Sequence, residues 1–236
     1  MRFYEEDIKK LILEKRRIFL GDDDNTPNIV LFEKGISINS VICDCLIFSE
    51  GKGIIGLEIK TERDSTRRLN KQLKAYSVTC DYVYTLCHDD HVEKVEEIIN
   101  RNHPHVGIIA YSEFRGVPIL GVYKEAHKSP KKDVKMAYQM LWYTELSALL
   151  GNFKRQMNTL EEFGVRVNTM KSRSGGASRL YVQSNAGKYL KKTDVINMIV
   201  NRLGYQESNK LLCNIFINDK FHPERNLKFH HFKNKS

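Results

Sequence analysis

Val41-Ile42-Cys43-Asp44-Cys45-Leu46-Ile47-Phe48, then Ser49-Glu50-Gly51-Lys52-Gly53, then Ile54-Ile55-Gly56-Leu57-Glu58-Ile59-Lys60 is the stretch whose reading decides the fold. Two runs of β-branched and apolar residues flank a Gly-containing turn, the pattern of a β-hairpin. With the turn centred on Gly51, Phe48 faces Ile54, and counting back along both strands sets Asp44 opposite Glu58. Cross-strand neighbours lie about 4.5–5.5 Å apart at Cβ, where like charges destabilise unless something compensates. Lys60 falls two residues beyond Glu58, on the same face. Cys43 and Cys45, at strand spacing around Asp44, are expected to share one face as small apolar residues.

Burying charge among Ile, Leu and Val costs several kcal/mol unless it is paired or bound to metal. A hard divalent cation held by Asp44 and Glu58 would remove the repulsion, lower the pKa of a bound water and stabilise charge on a phosphodiester. A structural salt bridge of Lys60 with one carboxylate on an exposed sheet face is the alternative from spacing alone.

Outward from the hairpin, the N-terminus reads as an amphipathic helix through Ile8, Leu11, Ile12 and Ile18, ending before the loop Gly21 to Pro27. A short apolar run follows at Ile29 to Phe32. After Lys60 the period changes: Asp64-Ser65-Thr66 offers N-cap chemistry for a helix through Leu69, Leu73 and Tyr76. A strand at Asp81 to Cys87, a charged helix near 90–101 and two strands at Val106 to Tyr111 and Val117 to Tyr123 complete an α/β unit, a mixed sheet flanked by helices.

The hairpin and helix together resemble a known family. Asp44, thirteen residues, then Glu58-Ile59-Lys60 is similar to the D...(E)xK signature of the PD-(D/E)XK nuclease superfamily, and the element order resembles its restriction-endonuclease-like αβββαβ core. Gln72-Leu73-Lys74-Ala75-Tyr76 resembles the QxxxY element of the RecB-like branch, with both side chains on one helical face. Leu141 to Leu146 extends a likeness to small uncharacterised bacterial and phage proteins of that type. The resemblance implies a Mg²⁺- or Mn²⁺-dependent deoxyribonuclease in DNA repair, recombination or phage DNA metabolism. Asp44 and Glu58 would bind the metal, with the Ile59 carbonyl as a further ligand. Lys60 would assist the attacking water, and Gln72 and Tyr76 would line the site. Cys43 stands where the family nominally has proline. An extra acidic ligand is expected upstream, Glu33 first, with Glu5, Glu6 and Glu14 behind it.

Charge is divided along the chain. The net is +9 over 236 residues, with residues 1–125 close to neutral and residues 126–236 strongly basic. Such a basic half suits a polyanion such as DNA. Arg67 and Arg68 precede the QxxxY helix, and Lys171, Arg173, Arg179, Lys188, Lys191 and Lys192 gather around a Gly-Gly loop and a helix start, where phosphate contacts are expected. Tyr181 and Tyr189 are interleaved with them, either stacking on bases or packing in the core. Trp142 is expected in the core.

The expected organisation is a nuclease-like core at 1–125, a polar hinge at 124–135, a basic and mainly helical region at 126–217 with helices at Met136 to Leu150, 154–163 and Thr193 to Leu203, and a loose basic tail at 218–236. Five cysteines without a CxxC pair argue against a disulfide framework and for a reducing compartment. The longest apolar runs fall far short of the roughly 18 residues of a membrane helix, so a cytoplasmic protein without membrane contact is expected. Two other readings compete with the nuclease: a non-catalytic nucleic-acid-binding or regulatory protein on the same fold, and a dimeric Holliday-junction-type resolvase.

Overall fold

A computed structural model describes residues 4–36, 41–157, 165–170, 179–218 and 229–232. The first helical stretch is two helices, α1 (Glu5–Glu14) and α2 (Arg17–Leu20), ending at Gly21, whose φ of 61° only glycine adopts without strain. Strands β1 (Asn28–Ile36), β2 (Val41–Ser49) and β3 (Gly53–Lys60) form an antiparallel meander. Helix α3 (Leu69–Thr79) crosses to β4 (Tyr82–His88), and α4 (Val92–Asn102) crosses to β5 (Gly107–Phe114). These crossovers allow β3, β4 and β5 to run parallel. Strand β6 (Val117–Lys124) returns antiparallel at one edge.

Beyond it lie α5 (Val134–Tyr138), α6 (Tyr143–Met157), a hairpin of β7 (Val165–Met170) and β8 (Arg179–Ser184), α7 (Lys192–Ile217) and β9 (Phe229–Phe232). The result is an α/β architecture with a mixed sheet in the order β6-β5-β4-β3-β2-β1-β9.

Two apolar layers sandwich this sheet. Ile8, Ile12, Phe19 and Leu20 cover one face over Val30, Ile47, Leu57 and Leu86. The other face carries α3 to α7, where Leu69, Leu73, Val95, Tyr138, Leu146, Ile199 and Phe216 meet Leu46, Phe48, Ile54 and Val83. The basic half therefore shares the core of the sheet. The segment expected as a hinge is tied across it: Ser129 N–H donates to the Asp81 carbonyl at 2.7 Å and Asp133 N–H to the Val78 carbonyl at 2.9 Å. Asp81 Oδ2 accepts from Ile54 N–H, Lys132 Nζ and Asn209 Nδ2 at 2.9–3.0 Å, so one buried carboxylate links β3, this segment and α7.

Several expectations change. The helix expected over Met136 to Leu150 is broken between Tyr138 and Tyr143, because the Glu145 carboxylate caps the Trp142 N–H and restarts the chain as α6. Trp142 is consequently 56% exposed rather than in the core. Helix α6 runs to Met157, and 158–163 lie outside the described residues. The β7–β8 hairpin was not expected, α7 continues past Leu203 across a break at Gly204, and part of the expected loose tail pairs with β1 as β9.

Cys43 and Cys45 fall on opposite faces of the sheet rather than one. The β1–β2 ladder pairs Phe32 with Cys45 and Lys34 with Cys43 but skips Glu33 and Asp44, where Glu33 has a φ of 56°. This matched irregularity reverses the in-out alternation of both strands.

Candidate functional site

The β2–β3 register is the one the hairpin count gave, Phe48 against Ile54, with pairing continuing to Cys45 against Leu57. One residue further the ladder stops. Asp44 lies in the irregular stretch of β2, and its Oδ2 accepts the Ile59 N–H at 2.8 Å, so the side chain takes the role of a strand partner. Its own N–H donates to the Tyr76 hydroxyl at 3.0 Å.

Glu58 is 0% exposed. Its Oε1 accepts from Lys60 Nζ, and its Oε2 accepts from the Tyr76 hydroxyl at 2.8 Å. Lys60 Nζ also donates to Gln72 Oε1 at 3.3 Å. The i, i+4 spacing of Gln72 and Tyr76 on α3 delivers both side chains to this cluster. Gly56 is required for the approach: a Cβ there would stand 2.7 Å from Tyr76 Cδ1 and 2.7 Å from Cys80 Sγ.

Asp44, Glu58, Lys60, Gln72 and Tyr76 thus form one hydrogen-bonded cluster at the carboxyl end of β3, beside the carboxyl ends of its parallel neighbours. That edge is where open α/β sheets offer ligand sites. Thr85, register neighbour of Glu58 on β4, is fully buried with a hydroxyl that has no partner among the described residues. A threonine in an apolar strand carries no distinguishing signal, so the sequence alone does not point to it.

Electrostatics mark Asp44 most strongly. Burial, then the Glu58 carboxylate, push its pKa from 3.8 up to about 7, against the opposing pull of the Ile59 N–H and Lys60. Burial also raises Glu58, opposed first by Lys60. Desolvation carries the Tyr76 hydroxyl well above its ordinary value, so it stays a hydrogen-bond donor.

Glu33 sits on β1 beside Asp44, and its Oε1 is 2.6 Å from Lys9 Nζ, which also holds Glu5 at 2.9 Å and Glu6 at 3.3 Å. Glu5 lies near enough to contribute to the rise at Asp44. Among the described residues, Asp44 and Glu58 belong to no group of three acidic, His or Cys ligand atoms that all lie within 4.8 Å of one another. The trio that does meet that spacing is His88, Asp89 and Asp90 at the end of β4, where His88 Nδ1 stands 3.0 and 3.3 Å from the two carboxylates.

Of the expected phosphate contacts, Arg67 and Arg68 are exposed on the turn before α3, and Arg68 acts on Glu58 electrostatically. Lys188 and Lys191 are exposed near the start of α7, whereas Lys192 is half-buried and donates to the Gln139 carbonyl at 2.7 Å. Lys171 and Arg173 lie outside the described residues, as does the side chain of Arg179.

The sheet and this cluster define an α/β protein in which a carboxylate pair, one member fully buried, joins a lysine and two helix side chains at one sheet edge. The chain belongs to the family described as bacteriophage P4 protein cII, which residues 1–225 match. No curated protein matches it. Among solved structures it is similar to a protein of unknown function from Silicibacter pomeroyi, with 9% identity over 56% of this chain and 82% of that chain and a TM-score of 0.35. Among the described residues no helix is long and apolar enough to cross a membrane.

Proposed function

We propose that the protein is a divalent-metal-dependent DNA nuclease of the PD-(D/E)XK type. The observation that carries this reading is the convergence of Asp44, Glu58 and Lys60 with Gln72 and Tyr76 in one hydrogen-bonded cluster. The donor set fits a hard cation, Mg²⁺ or Mn²⁺: two neighbouring carboxylates, of which Asp44 has its pKa raised to about 7 by burial and by the Glu58 charge, a repulsion that a cation would relieve. Asp44 and Glu58 would hold the ion, which when bound supplies a more acidic water and a counter-charge for the phosphate.

The protein's own groups have separable roles. Lys60 has three N–H donors and spends two on Glu58 and Gln72, which leaves one for the attacking water or a phosphate oxygen. Gln72 gives its carbonyl oxygen to Lys60, so its amide N–H groups can meet substrate. Tyr76 positions both carboxylates, accepting from the Asp44 backbone while donating to Glu58. Arg67 and Arg68 extend the positive surface for phosphates, and the basic half contributes the remainder.

Purified protein incubated with single-stranded, duplex and branched DNA in Mg²⁺, Mn²⁺ or EDTA tests the reading. Cleavage of at least one DNA that EDTA abolishes supports it. DNA binding without cleavage under any metal would instead assign a non-catalytic nucleic-acid-binding protein, and cleavage confined to four-way junctions by a dimer would assign a resolvase.

A further inference from the structure

The sheet ends at β6, three strands from the carboxylate cluster on β3, and among the described residues no strand pairs with the outer side of β6. From Val117 to Tyr123 this strand carries no charged residue. Phe114, Val117, Ile119, Val122 and Tyr123 are 43–61% exposed. Val117, Ile119 and Tyr123 share the face that carries α4, where the Tyr123 hydroxyl donates to Glu96 at 2.9 Å. An uncharged apolar edge invites another strand, which is why edges ordinarily carry charge, proline or a bulge.

Here a proline and a bulge stand at the two ends and leave the middle open. Arg115 and Gly116, with φ of 52° and 79°, form the two-residue turn that closes Phe114 against Val117. The closing pair of such a hairpin exchanges both its hydrogen bonds, and the alternation of an antiparallel ladder then turns the backbone groups of Pro118 and Leu120 away from β5. The missing N–H of Pro118 therefore costs the ladder nothing and removes an outward donor. At the other end the register with β5 shifts between Val122 and Lys124. Leu120, between the two, points both its N–H and its carbonyl outward.

We propose that β6 pairs antiparallel with β6 of a second copy, about a two-fold axis at Leu120, so that two sheets become one. A two-fold at Pro118 would oppose two residues that lack an N–H, and one at Val122 would fall on the bulge. At Leu120 the strand is complementary to itself. The two Leu120 residues exchange their backbone hydrogen bonds, and Pro118 faces Val122 of the partner subunit, where only its carbonyl is needed. Val117 meets Tyr123 of the partner subunit, an aromatic and β-branched pair. Ile119 comes over Gly121 of the partner subunit, where a Cβ would find no heavy atom within 4 Å. Arg115 comes opposite Glu125 of the partner subunit, an exposed carboxylate, so opposite charges close both ends. Five side chains about half open leave on the order of 500 Å² per copy, so two copies bring together on the order of 1,000 Å², the lower bound of a specific interface. The dimer is therefore reversible and its population follows concentration. The pairing involves no residue of the carboxylate cluster and stands whether or not the protein cleaves DNA.

The protein in EDTA, without DNA, is followed by sedimentation velocity and by amide hydrogen exchange over a wide range of concentrations. A monomer–dimer equilibrium is expected, with exchange at the Leu120 amide slowing as the dimer fills. Ile119→Lys alters a side chain already 47% exposed and should keep the parent's circular dichroism, yet it introduces two ammonium groups at the interface and should weaken association by about tenfold or more. Arg115→Glu should also weaken it, and Arg115→Glu/Glu125→Arg should restore it. A protein monomeric at every concentration would leave the edge to a strand of some other protein and overturn the proposal. So would a dimer that Ile119→Lys leaves intact, or one whose formation does not protect the Leu120 amide.

Discussion

Asp44→Asn should make the metal-free protein more stable at pH 8. Burial and the neighbouring Glu58 carboxylate raise the Asp44 pKa from 3.8 to about 7 in the folded chain. A carboxyl raised on folding favours the native state fully only below its unfolded pKa, and that stability is lost as pH rises through the folded value. Three units at about 1.4 kcal/mol each give a penalty of about 4 kcal/mol above pH 7, falling to about 2 kcal/mol at pH 5 and vanishing below about pH 4. Asparagine keeps an oxygen for the Ile59 N–H and does not ionise. Urea unfolding in EDTA should therefore show the variant's midpoint on the order of 1–2 M above the parent's at pH 8, with the gap about halved at pH 5. Added Mg²⁺ should stabilise the parent and leave the variant unchanged. A variant no more stable than the parent at pH 8, or a gap independent of pH, would show that Asp44 carries no such penalty.

Tyr76→Phe removes the hydroxyl shared by Glu58 and the Asp44 N–H and should cost about 1–3 kcal/mol in urea unfolding, with any cleavage activity falling further than stability does. Gly56→Ala drives a methyl into Tyr76 and Cys80, so a loss of about 1–3 kcal/mol is expected in the same assay; an unchanged midpoint would show that the close approach is not needed. Lys132→Met leaves buried Asp81 without its ammonium partner and should cost about 3–5 kcal/mol, a loss that Asp81→Asn in the same chain partly restores.

The sheet was legible because its strands are apolar runs punctuated by Gly-containing turns, and the five-residue turn fixed the register that sets Asp44 at the level of Glu58. The reversal at Asp44 was not legible. It depends on Glu33 adopting a left-handed conformation on the adjacent strand, a property of the pair rather than of either sequence. The basic half was harder for a related reason. Its amphipathic period runs unbroken through Met136 to Leu150, and the break comes from Glu145 capping the Trp142 N–H, a signal that Trp-x-x-Glu carries only faintly.

Whether Asp44 serves chemistry at the expense of stability is decided by Mg²⁺-dependent DNA cleavage measured side by side for the parent and Asp44→Asn. The parent should cleave, and the variant, better folded and still binding DNA, should not. A parent inactive on every DNA with Mg²⁺ and Mn²⁺, or a variant that cleaves at the parent's rate, would contradict it.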